Sequence, residues 1–280
     1  MAKRKIATCL FLSLLSLSST SLLAQQLGIR VDQPRIRQTL SPGETNTGTI
    51  RVENTSGYPL MVTVYLQDWS YDANGKGDKE FFPPGTTPYS CANWIRVSPE
   101  KIQIPPRTKQ EIRYFMTVPA EAKGSYYAVV FFEGAPIELK PTTGQLTATL
   151  TGRVASLFFV DIEGRTERSA ILEEIRFSKD HPQAPLEAHF TLRNLGNADL
   201  SAEGTFDLLD PQGIVVARGP LPNLYLNQTM AIPSAFSWQG KLLPGEYDLI
   251  FTYNLGESAI LVKEVKIEVT STGQVVVNDK

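Results

Sequence analysis

Leu60-Met61-Val62-Thr63-Val64-Tyr65-Leu66 places an aliphatic side chain at every even position. Period two with β-branched residues dictates a strand with one buried face. The pattern returns along the chain. Ile112, Tyr114, Met116 and Val118 alternate with Glu111, Arg113 and Thr117. Leu186, Ala188, Phe190 and Leu192 alternate with Glu187, His189, Thr191 and Arg193. Tyr247, Leu249, Phe251 and Tyr253 form a further face, and Val265, Ile267 and Val269 alternate with Glu264, Lys266 and Glu268. One apolar and one wet face per strand suits antiparallel sheets. Turn chemistry falls between the runs, at Ser41-Pro42-Gly43-Glu44, Asn74-Gly75, Asp210-Pro211-Gln212-Gly213 and Leu243-Pro244-Gly245-Glu246. No stretch of ten residues carries the helical period. The expected fold class is all-β, built from antiparallel β-sandwiches.

Composition narrows the function classes. The 280 residues are 42% hydrophobic and 20% charged, with a formal charge of −2. A chain so apolar is not disordered, and one so weakly charged is no obvious nucleic-acid binder. Residues 1–24 read as a secretory signal peptide: Lys3, Arg4 and Lys5 precede an apolar run from Ile6 to Leu17, and Ala24 suits the cleavage site. Nothing after Ala24 is long and apolar enough to span a bilayer, so an exported protein is expected. Its one remaining cysteine, Cys91, cannot close an intrachain disulfide. The polar stretch Gly164-Arg165-Thr166-Glu167-Arg168 marks a boundary, giving domains at 25–164 and 165–270 and a polar tail at 271–280. Thr49–Gly57 and Phe190–Asn197 are weakly similar, each a strand ending in Asn before a glycine-containing turn. Duplication and shared turn chemistry explain this equally well.

The residues offer little catalysis. His189 sits on the polar face of a strand and His181 in a loop, too few for a three-histidine zinc site. No nucleophile elbow, zinc-binding histidine pair or phosphate-binding loop is present. Asp72-Ala73-Asn74-Gly75-Lys76-Gly77-Asp78 resembles a calcium loop, yet Lys76 occupies a ligand position and no glutamate closes it. A hairpin built on Asn-Gly is expected there instead. We expect no enzyme, no cofactor and no metal. Leu146–Val160 stands out by its length. Leu146, Ala148, Leu150, Val154, Phe158 and Val160 lie on one side of a long candidate strand, after a proline-containing segment at 134–145. Such a strand is either an exposed edge that templates pairing or an internal strand closing the first core.

Several stretches resemble the periplasmic pilus (fimbrial) assembly chaperones. They are Val31–Arg35, Leu40–Glu44 with Ile50–Asn54, Trp94–Pro99, Ile102–Pro106 with Ile112-Arg113, and Arg153–Phe159. The resemblance implies two immunoglobulin-like domains set at an angle. It implies that the last strand of the first domain lends alternating apolar residues, here Leu146, Ala148, Leu150 and Val154, to an incomplete subunit. Two basic residues would hold that subunit's terminal carboxylate. Arg35 matches the first. Arg153 matches the second, one residue further from Leu157-Phe158 than the pattern places it, and a slip of one reverses the face. Asn223–Trp238 leading into Leu242–Tyr247 is similar to the second domain of WxL-interacting cell-surface proteins, although those carry a C-terminal membrane helix. The resemblances together imply a non-enzymatic binding protein. Its partner would be a pilin-like or secreted subunit in the periplasm or, in the alternative, a cell-wall polymer or surface protein at the cell surface. Nucleic acid is not an expected partner.

Overall fold

The computed structural model describes residues 28–139, 148–179, 181 and 183–277. The strands of the first part are β1 (Ile29–Val31), β2 (Arg35–Leu40), β3 (Thr45–Asn54), β4 (Leu60–Tyr71), β5 (Lys79–Phe82), β6 (Ile95–Ser98), β7 (Lys101–Ile104), β8 (Lys109–Thr117), β9 (Ser125–Gly134), β10 (Ile137–Leu139), β11 (Ala148–Leu150) and β12 (Arg153–Ile162). One sheet runs β1-β3-β8-β6, the facing sheet β2-β12-β9-β4-β5, with β7 beside β4. Their apolar faces meet in a core that includes Ile50, Val62, Ile112, Met116, Phe132, Phe158 and Val160, all fully buried. In β4, Leu60, Val62 and Val64 point inward and Met61 and Thr63 outward, as the period-two pattern dictates.

The first strand changes sheets. β1 pairs antiparallel with β3, while β2 pairs parallel with β12 from Leu157↔Arg35 to Ile162↔Leu40. Pro34, which has no N–H to offer a ladder, sits at the crossover. Its carbonyl accepts the Leu157 N–H at 2.9 Å, so pairing with β12 begins at once.

The second part contains β13 (Ala170–Ser178), β14 (Leu186–Asn194), β15 (Leu200–Leu209), β16 (Val215–Pro220), β17 (Leu224–Leu226), β18 (Ala231–Trp238), β19 (Gly245–Gly256), β20 (Ala259–Val269) and β21 (Val275–Val277). Sheets β13-β14-β18 and β16-β15-β19-β20-β21 enclose a separate core that includes Leu186, Leu192, Leu208, Leu249, Phe251, Tyr253 and Ile267. Pro233 lies mid-strand in β18, opposite Thr191, which is tolerated because β18 is an edge. The structure is thus two antiparallel β-sandwiches, as expected. Among the described residues the one helical element is the short 3₁₀ turn Ala92–Trp94.

Two expectations need revision. The stretch Leu146–Val160 is not one strand: β11 pairs with β10, and β12 starts two residues later. Gly134-Ala135-Pro136 faces only Thr151-Gly152, so the extra residue bulges on the β9–β10 side. Residues 271–280 are not simply a polar tail, because Val275–Val277 forms β21 against β20. Within 134–145, residues 137–139 form β10.

The two similar sequence stretches share a hydrogen-bonding device. Asn54 Oδ1 accepts the Ser56 N–H, while its Nδ2 donates to the carbonyls of Tyr58 and Ile104. Asn194 Oδ1 accepts the Gly196 N–H, while its Nδ2 donates to the carbonyls of Ala198 and Asn227. Each buried amide satisfies backbone groups at the end of its strand and pins the following turn.

Candidate partner-binding cleft

The odd-numbered residues of β12 face away from the core, and so do their neighbours across the sheet. This outer face is aromatic rather than wet. Trp69, Tyr71, Tyr127, Val129, Phe131 and Phe159 form a buried cluster on it. Trp69 packs edge-on against Phe159 at 4.9 Å and against Tyr71 at 5.1 Å between ring centroids.

The second domain covers part of this face. Tyr225 and Met230 pack on the cluster. Asn227 Oδ1 accepts the Tyr71 N–H at 2.6 Å and the Ser70 hydroxyl at 3.0 Å. Tyr127 donates its hydroxyl to Gln228 Oε1 at 3.0 Å, and Gln228 Nε2 donates to the Ser125 carbonyl at 2.7 Å. The loop at 72–78 contributes too. Its Gly75 carbonyl accepts the Tyr225 N–H at 3.0 Å. Gly75 has φ +70°, and a Cβ there would meet Ile232 Cγ2 at 2.5 Å. The stretch that resembled a calcium loop is a docking loop, shaped by Asn74 accepting the Lys76 N–H and donating to Asp78. No cluster of three or more His, Cys, Asp or Glu suited to a metal occurs among the described residues.

Beside the aromatic contact lies a buried ion network. Asp161 Oδ2 accepts from Arg37 and Arg168, both at 2.9 Å, while Arg37 also donates to Asp199 at 2.6 Å. Arg168 reaches Glu257 at 3.1 Å. Burial alone would raise the Asp161 pKa, but the Ser125 hydroxyl, Arg37 and Arg168 outweigh it and hold the carboxyl below its ordinary range. Asp161 belongs to the first sandwich, Asp199 to the second and Arg168 to the linker, so the network joins the domains.

The rest of the aromatic face is open, and two of the six residues expected from sequence, Arg35 and Arg153, lie on it. Arg35 is exposed, with its guanidinium 5.0 Å from the Phe159 centroid. Arg153 shares that face, because Arg35 pairs with Leu157 and residues 153, 155 and 157 point the same way. The two arginines do not converge. They stand four β12 positions apart, about 13 Å of strand. Arg153 instead lies 4.0 Å over Phe131 and donates to the Tyr65 hydroxyl at 3.2 Å. Burial first, and the hydrogen bond to Glu133 next, push the Tyr65 pKa up. Val154 points the other way and packs, half-buried, against the first core. Ala148 and Leu150 lie in β11, where the structure describes the backbone only, and Leu146 lies outside the described residues.

Backbone pairing along this segment is uneven. β12 pairs with β9 from Arg153 to Asp161, but β2 reaches only as far back as Leu157. Ser156 donates its hydroxyl to the Gln33 carbonyl at 2.6 Å. Strand pairing for residues 153–156 and for β11 is one-sided among the described residues. Sequence reasoning missed Phe159 and the junction pair Asn227-Gln228. Only the odd-numbered aromatics at 127, 131 and 159 could have signalled that the sheet is apolar on both faces.

No family model matches the sequence, and no curated protein matches it. The fold is similar to that of solved fimbrial chaperones. The class 5 fimbriae chaperone CfaA is 15% identical over 84% of this chain and 98% of its own, with a TM-score of 0.47. A chain in the complex of the Salmonella enterica SafA pilin with the SafB chaperone is 12% identical over 84% of this chain and 95% of its own, at a TM-score of 0.42. The E. coli chaperone DraB is 11% identical over 85% of this chain and 98% of its own, at 0.41.

Proposed function

We propose that the protein is an exported, non-enzymatic, pilus-type chaperone that holds a pilin-like or secreted subunit by lending it an edge strand. The observation that carries this reading is the one-sided pairing of residues 153–156 and of β11, beside an open apolar face. A bare strand edge offers backbone donors and acceptors to an incoming strand, and alternate side chains set the fit. Leu146, Ala148 and Leu150 are the donated residues in this proposal, and Arg35 orients the partner's terminus; Val154, expected among them from sequence, serves the protein's own first core instead.

Geometry constrains the polarity of such a partner. β2 lies parallel to β12 and begins at Arg35. A strand laid along the free edge would therefore stop where β2 starts. If it ran parallel to β12, its C-terminal end would arrive at Arg35. Its carboxylate would then meet the arginine through charge-assisted hydrogen bonds. An antiparallel strand would bring its ammonium there, which Arg35 repels.

The test is capture of partners from native cells with the tagged chain and with Leu150→Asp. We expect a small pilin-like or secreted protein that is lost in the variant, with thermal melting unchanged. Retention of the same protein by Leu150→Asp refutes strand donation. Capture of wall fragments, insensitive to that change, supports the surface-adaptor alternative.

A further inference from the structure

The outer face of the sheet β1-β3-β8-β6 lies on the far side of the first sandwich from the aromatic cleft, and its charge is unevenly matched. Toward β1, ion pairs close it: Arg30 and Lys109 meet Glu53, and Arg51 meets Asp32 and Glu111. Toward β6 the arginines stand alone. Arg96 and Arg113 are exposed, and neither has a carboxylate within ion-pairing distance among the described residues. Antiparallel register sets Arg96 beside Phe115 and Arg113 beside Ser98, all on this face. Phe115 is 47% exposed, which leaves much of its ring to a ligand. A hollow of about 490 Å³, lined by Asn93, Trp94, Arg96, Phe115 and Thr117, opens at the same corner. We infer that this corner is a binding site for an acidic polysaccharide, whose carboxylates the two arginines take and whose sugar rings Phe115 and Trp94 support.

Each part of the corner fits that chemistry. Arg96 and Arg113 are diagonal neighbours on adjacent strands. Their Cβ atoms therefore lie about 7–8 Å apart, and both guanidinia can reach one ligand. A guanidinium fork takes a carboxylate through two parallel N–H donors. An exposed aromatic ring beside it packs on the C–H face of a sugar and removes apolar area from water. Trp94 is fixed at the wall by Tyr126, 4.3 Å away between ring centroids. The hollow has the size of a small-ligand pocket, about 300–1,000 Å³. Polar side chains complete the set. On β3, Thr47 sits opposite Phe115 and Thr49 opposite Arg113. With Ser98 and Asn93 they offer donors and acceptors to sugar hydroxyls. None of these four side chains makes a hydrogen bond among the described residues. An acidic peptide would satisfy the arginines and leave this polar row idle, whereas a charged sugar polymer pairs with both. The site is independent of strand donation, since β12 belongs to the facing sheet.

The test uses the full chain, isotope-labelled for NMR and titrated by calorimetry. The probe is a galacturonate tetramer, once as the free acid and once as its methyl ester, beside hexaglutamate. We expect the acid to shift the amides of Arg96, Arg113 and Phe115 and the Trp94 indole signal. It should bind about tenfold tighter than the ester, the usual scale for one charged hydrogen bond. Added salt should narrow that gap. Arg96→Gln and Arg113→Gln should each weaken binding of the acid about tenfold and leave the ester unchanged, while Phe115→Ser weakens both. Arg51→Gln, whose charge is already matched, should change neither. The substituted side chains are exposed, so melting of the variants should stay unchanged and each loss reads as a lost contact. Equal binding of acid and ester, or no binding of the acid, overturns the inference. Hexaglutamate that binds the same residues as tightly as the galacturonate also overturns it and makes the corner a peptide site. A loss in Arg51→Gln as large as that in Arg96→Gln overturns it too, because binding would then follow total charge. Strand donation stands or falls separately in every case.

Discussion

Replacing Asp161 with alanine should separate the two domains energetically. The carboxylate is 2% exposed and accepts from Arg37, Arg168 and the Ser125 hydroxyl. The substitution leaves Arg168, itself 7% exposed, with Asp199 at 3.7 Å and Glu257 at the surface. Removing one member of a buried ion cluster costs about 3–5 kcal/mol, because the remaining charge stays desolvated. Arg37 is 31% exposed and regains water, so the lower end applies, about 3 kcal/mol. For a chain of this size that corresponds to a fall of roughly 6–12 °C in melting temperature. Calorimetry should show it, together with a first transition belonging to one sandwich alone. The acid limb gives an independent check. The folded-state pKa of Asp161 lies below its reference value of 3.8, so its stabilisation is present above that pH and drains away as the pH falls through the folded value. Asp161→Ala should lack this part of the acid slope. A loss below about 1 kcal/mol, with one unsplit transition, would mean the network behaves as an exposed pair and does not hold the domains.

Other outcomes follow from single contacts. Gly75→Ala should destabilise by about 1–3 kcal/mol, from a left-handed backbone and the collision with Ile232, read by urea unfolding. Asn54→Ala and Asn194→Ala should each lower stability by about 1–3 kcal/mol, because buried backbone groups lose their partner, and the first should broaden the 55–58 turn in NMR spectra. Pro233→Thr should leave stability almost unchanged yet promote self-association by sedimentation, since it restores an N–H to an open edge. Phe159→Ala should cost about 3–5 kcal/mol by thermal melting, as a fully buried ring contacted by Trp69 and two arginines.

Strand identity was legible because burial of one face writes period two directly into β4, β8 and β14. The asparagine repeat was legible too, and its function as a turn pin explains why both copies end in Asn and glycine-containing turns. What escaped was anything that depends on two elements meeting. Asp161, Asp199 and Arg168 are scattered in sequence and acquire meaning only when the sandwiches dock. The bulge at Gly134-Ala135-Pro136 also hid, since the even-numbered pattern runs on through Thr151-Gly152 as though the strand were unbroken. Arg153 showed the limit of spacing arguments. Its register does put it on the face of Arg35, but its neighbours on β4 and β9 claim its charge.

The uneven coverage of β12 has a kinetic consequence. β9 grips the strand along almost its whole length, and β2 fixes only the later half. A guest on the remaining edge would arrive and depart without any strand of the host leaving its place. Exchange would break only host–guest hydrogen bonds, one after another from the end away from Arg35. Release would therefore proceed by unzipping, without waiting for the host to open.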